Sequence, residues 1–165
     1  MPDIKRKNND SIGYIGSVEF GLIRNNKRYP KITANAGTYN LFEFLCNCIV
    51  ARLNPNVVTD LQNRPGNLKL FDSANQQILS YGIGFSDLVV SGEDSSDPYC
   101  SVKFYFLIPG TSIFRKSIKK VALTAINDFN KIYAEASFQD DIIIDSIDTN
   151  VYVEWTLTIK NAKEV

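Results

Sequence analysis

The sequence predicts a mainly β protein, a β-sandwich or jelly-roll-like domain with one buried α-helix over about residues 41–53. Three observations lead there. The stretch VYVEWTLTIKN at 151–161 puts Val151, Val153, Trp155, Leu157 and Ile159 on one side and Tyr152, Glu154, Thr156, Thr158 and Lys160 on the other. That period of two marks a strand with one face in a core and one in water. Other short runs rich in β-branched and aromatic residues recur between polar turns, about eight strands in all. Only one stretch combines helical spacing with a start and a stop signal.

In chain order, residues 1–12 are polar, with Lys5, Arg6 and Lys7 against Asp3 and Asp10, and predict a flexible N-terminal arm. Val18, Phe20 and Leu22 then fall at period two before the turn dipeptide Asn25-Asn26, and a second short run lies before or after Pro30, a hairpin. In NLFEFLCNCIVARLNPN, Asn40 stands three before Glu43, the spacing of a capping box, and Asn54-Pro55 closes the helix. Leu41, Phe44, Leu45, Cys48 and Ile49 form one apolar stripe, and Phe42, Cys46, Val50 and Leu53 nearly complete a second. Such a helix is buried on two sides, against its own sheet or a neighbouring subunit.

Arg64-Pro65-Gly66 reads as a turn, LKLFD and QQILSY as short strands, and IGFSDLVV as a strand punctuated by Gly82 and Gly84. After the acidic loop SGEDSSDP, SVKFYFLIPG sets Val102, Phe104, Phe106 and Ile108 on one face and Lys103, Tyr105 and Leu107 on the other, a central strand stopped by Pro109-Gly110. A strand over residues 119–124, where Ala and Leu leave a helix open, then YAEASF and DIIID as two separate strands, precede the closing one. The length of 165 residues suits one domain, residues 13–165, after the arm.

Composition narrows function. The chain is 44% hydrophobic and 22% charged, as in an average globular protein. Its 18 basic and 18 acidic residues cancel, which disfavours nucleic acid, because phosphate neutralisation needs a basic surplus. No run approaches the roughly 18 apolar residues of a membrane span, and the polar start predicts a chain made in the cytoplasm. Cys46, Cys48 and Cys100 are an odd number without metal-ligand spacing, so reduced thiols are expected. The chain has no histidine, the commonest general base and transition-metal ligand, and this argues against most hydrolase mechanisms.

Two constellations invite chemistry. Asp140, Asp141, Asp145 and Asp148 are close in sequence, but they lack the glycine and glutamate of an EF-hand loop, so acidic residues bracketing a strand are the simpler reading. A carboxylate pair for glycoside hydrolysis cannot be read from spacing alone. Aromatic residues make up 12% of the chain and could stack on sugars. Trp155 lies on the apolar side and belongs to the core, whereas Tyr105 and Tyr152 lie on the opposite side and are the better candidates for an exposed contact. Neither GxGxxG nor a P-loop is present, so no cofactor is expected.

NAGTYNLFEFLCNCIV at 35–50, FYFLIPGTSI at 104–113 and DTNVYVEWTLTIKN at 148–161, taken in order, resemble small virion structural proteins of tailed bacteriophages, including crAss-like phages. These are subunits that decorate the capsid or anchor head fibres. The resemblance implies a non-enzymatic β-sandwich located in the virion, with copies of itself and major capsid or other virion proteins as partners in a symmetric oligomer. It supplies no catalytic residues. Within that reading Ile4, Lys5, Arg6, Lys7 and Ile12 are candidate partner-binding residues, two apolar anchors around a basic run that orders on an acidic neighbour. A carbohydrate-binding module, a tail or receptor-binding component and a small glycosidase are the alternatives.

Overall fold

A computed structural model describes residues 12–44, 64–82, 85–90 and 99–161. Its strands are β1 (Ile12–Arg24), β2 (Lys27–Gly37), β3 (Pro65–Phe71), β4 (Gln77–Gly82), β5 (Phe85–Val90), β6 (Tyr99–Ile108), β7 (Ser117–Ala125), β8 (Ile132–Ile143) and β9 (Asn150–Asn161). Helix α1 is described over residues 39–44, and α2 is the short turn Gly110–Ile113.

All strand pairs among the described residues are antiparallel, in the order β4-β3-β7-β8-β2-β1-β9-β6-β5. The chain is mainly β, with two antiparallel sheets in a sandwich-like arrangement. β2 is the link between them. It pairs with β1 from Lys27 to Asn35 and then with β8 through Ala36 and Gly37. The first sheet holds β1, β9, β6 and β5 with most of β2, and the second holds β8, β7, β3 and β4. The outermost strands, β4 and β5, follow one another in the chain.

The alternation that predicts β9 also fixes which face enters the core. Val18, Trp155 and Phe104 lie in one cross-strand row, and Phe20, Val153 and Phe106 in the next, all buried. From the second sheet come Leu68, Leu70, Val121, Leu123, Ala136 and Phe138. The sheets meet at Phe20 and Phe138, whose ring centroids are 4.9 Å apart. Trp155 is fully buried, as its side of the strand requires.

Several expectations change. Tyr39 already belongs to the helix, and Asn40 is no cap: its Nδ2 donates to the Ile132 carbonyl, 3.0 Å, while the Thr38 carbonyl accepts from the Leu41 and Phe42 amides. Leu41 is buried and Phe44 packs edge-on against Tyr133, but Phe42 is 46% exposed, so the second stripe is not wholly covered. Residues 45–53 lie outside the described residues.

YAEASF and DIIID are one strand, β8, not two. Between Ile118 and Lys120 of β7 the register moves from Ile142 to Ser137, so residues 138–141 bulge opposite Lys119. Lys119 Nζ donates to the Gln139 carbonyl at 2.7 Å, which holds the bulge while the ladder resumes beyond it. Pro65 opens β3 and is not part of a turn; the register shift between Pro65 and Asn67 leaves Gly66 as a bulge. β2 runs straight through Pro30, which faces Gly21 of β1. That position is tolerated because, among the described strands, β2 has a partner on only one side there. Ile12, expected at the end of the arm, is the first residue of β1, with Asn161 opposite.

Candidate functional site

The outer face of the first sheet carries the most organised group of side chains. Cross-strand register sets its rows: Gly21, Tyr152 and Leu107 form one, and Glu19, Glu154 and Tyr105 the next. Two glutamates directly opposite each other repel. Each is answered by a different partner. Lys103 Nζ lies 2.8 Å from Glu154 Oε1, and the Tyr152 hydroxyl donates to Glu19 Oε1 at 2.6 Å.

Tyr152 reaches Glu19 by lying flat over Gly21. A Cβ at residue 21 would stand 2.6 Å from the phenol oxygen and closer still to the ring, so only glycine leaves room there. The Arg28 guanidinium stacks 4.7 Å from the ring centroid and covers its other side. Tyr152 is therefore buried although its strand face points outward. This corrects its expected role as an exposed contact; Tyr105 alone of the pair is half-buried. Burial first, then the hydrogen bond to Glu19 and that carboxylate's charge, push the Tyr152 phenol from 10.0 up to about 12.

Because Tyr152 leans towards β1, a hollow of about 280 Å³ opens between it and the side chains of β6. Ile23, Arg28, Tyr105, Leu107, Tyr152 and Glu154 line it, with Phe106 and Val153 at its base. Leu107, on its wall, is 56% exposed. A small, mostly apolar hollow flanked by fixed charges can hold one bulky apolar group and orient it by polar contacts at the rim. Leu107 and Arg28 escape a reading of motifs, since only their cross-strand placement gives them a role.

The four aspartates close in sequence do not meet at one point. Asp141 accepts from Ser117 Oγ at 2.9 Å and lies 3.6 Å from Lys119 Nζ, whereas Asp145 pairs with Arg24 Nη2 at 2.7 Å. Asp145 and Asp148 line a second hollow of about 360 Å³ with Arg24, Asn25, Ser146 and Thr149, where Arg24 Nε also donates to Thr149 Oγ1. Among the described residues no three carboxylate, thiol or imidazole side chains are placed to share one metal ion. Cys100 is a free, exposed thiol; Cys46 and Cys48 lie outside the described residues. So do Ile4, Lys5, Arg6 and Lys7.

Comparison with family models, with curated proteins and with solved structures finds no match to this chain.

Proposed function

We propose that this chain is a non-enzymatic structural subunit of a tailed-phage particle, a capsid auxiliary or head-fibre anchoring protein that works through protein–protein contacts. The observation that carries the assembly part is the spread of exposed apolar side chains over separate parts of one sandwich. Tyr39, Phe42 and Phe129 stand at the end where α1 meets the β7–β8 turn. Phe114, Ile143 and Ile147 stand at the opposite end, where α2 meets the β8–β9 connection, and Leu107, one residue from the end of β6, stands on the outer sheet face near that same end. A module for one ligand needs one such place. A subunit with several neighbours needs several.

The phage assignment rests on the sequence resemblance. A quantitative mass-spectrometric inventory of purified particles tests it: the chain in fixed ratio to the major capsid protein is the expected result, and its absence from particles overturns the proposal.

A second reading, a carbohydrate-binding module, is favoured by Tyr105 lining one hollow with Arg28 and Glu154. Isothermal titration with neutral sugars separates the two, since saturable heat abolished by Tyr105→Ala supports the second.

A further inference from the structure

The hollow beside Leu107 holds both halves of a self-complementary contact. Leu107 is an exposed apolar group, and the hollow next to it is of a size to receive one, yet Leu107 cannot fill it because it forms part of the wall. A group and its receptor on one face are what a twofold axis requires, since rotation places each copy's group at the other copy's recess. We propose that the outer face of the first sheet docks on a second copy of this chain, with Leu107 of each copy seated in the hollow of the other.

Charge and area both fit that occupant. Around the hollow, Arg28 and Lys103 are balanced by Glu19 and Glu154, so the face meets its own copy without a net like-charge penalty. A partner of one strong sign would gain nothing from such a face. β2, β1, β9 and β6 lie side by side, and β6 faces β9 over its whole length of 10 residues. Strand spacing and rise make that face roughly 19 Å by 33 Å, about 600 Å² before side-chain relief. A standard interface buries about 800 Å² per partner, so this face with its relief is of the right order. The hollow, at the end of this face where β6 finishes, is preorganised: Tyr152 is held by Gly21 below, Arg28 above and Glu19 at its hydroxyl, so docking orders little that is not already fixed.

The inference rests on the assembly reading above, but it is tested in free solution, where a failure leaves the particle inventory unaffected. Sedimentation equilibrium of the full chain over a concentration series reads the association directly. Wild-type protein should dimerise. Leu107→Glu should raise the dimer dissociation constant at least about tenfold with at most a small shift in melting temperature, because more than half of the Leu107 surface is already exposed in its own chain. Gly21→Ala, which drives the Tyr152 ring into the hollow, should weaken dimerisation as well, and Phe129→Ser, at the far end of β7, should not. A wild-type chain that stays monomeric at every concentration overturns the proposal and leaves the hollow to another occupant. A dimer that forms equally well with Leu107→Glu overturns it too, by placing the contact elsewhere.

Discussion

The Tyr152 ring lies on Gly21 of the neighbouring strand and reaches across it to donate a 2.6 Å hydrogen bond to Glu19. This one relationship buries an outward-facing tyrosine, compensates one of two opposed glutamates, and leaves the space beside Leu107 open.

Gly21→Ala is therefore expected to destabilise the protein by about 1–3 kcal/mol through overpacking, read as a fall in the urea midpoint at unchanged m-value. The loss should shrink when Tyr152 is also truncated, because the added methyl meets that side chain. In a double-mutant cycle, Gly21→Ala and Tyr152→Ala should cost less together than the sum of each alone. Gly110→Ala should have no such rescue. A Cβ there meets the backbone of Ile147, its carbonyl carbon at 2.9 Å, and a main chain cannot turn aside as a tyrosine can.

The Tyr152 phenol, pushed up to about 12, stays protonated in the folded state where an unfolded tyrosine, at 10.0, has ionised. The unfolded chain binds fewer protons over that interval, so folding stability falls as pH rises. The contribution is complete below pH 10.0 and is lost between 10.0 and about 12. Tyr152→Phe should flatten the stability profile across that window relative to wild type. Ultraviolet titration should show one late tyrosine that Glu19→Gln moves part of the way back, since burial, the larger cause, remains.

Trp155→Ala is expected to cost about 3–5 kcal/mol, the range for removing a large buried aromatic side chain. Trp155 is fully buried between Val18 and Phe104, its cross-strand neighbours in one row. Its emission in the intact protein should be that of an indole shielded from water, and a red-shifted, quencher-accessible spectrum would contradict this placement.

Calcium and chelator should leave the melting temperature unchanged. Asp145 already holds Arg24 and Asp141 accepts from Ser117, so a cation would have to displace a guanidinium before gaining a second carboxylate. A rise of several degrees with calcium would be the linkage signature of a native-state site.

What sequence discloses here is local. The left-handed pair Asn25 and Asn26, φ 50° and 59°, turns the β1–β2 hairpin where the dipeptide predicts a turn, and the alternation in β9 assigns Trp155 to the core. Asn40 misleads because its side chain is used by the Ile132 carbonyl, a partner supplied by the tertiary fold and not by the helix. β8 reads as two strands because Gln139, Asp140 and Asp141 are polar, and only the β7 register shows that they bulge without ending the strand. Tyr152 looks exposed because the residue that makes room for it, Gly21, is distant in the chain and becomes a neighbour only through the β1–β9 pairing.

The measurement that bears most directly on a structural subunit acting through this sheet face is competitive incorporation. Wild-type and Leu107→Glu chains, co-expressed at equal levels while particles assemble, are quantified by mass spectrometry in the purified particles. Enrichment of wild type by about tenfold is the expected result, because an apolar anchor removed from an interface costs at least that factor in affinity. Equal amounts of the two chains in the particles would contradict the account.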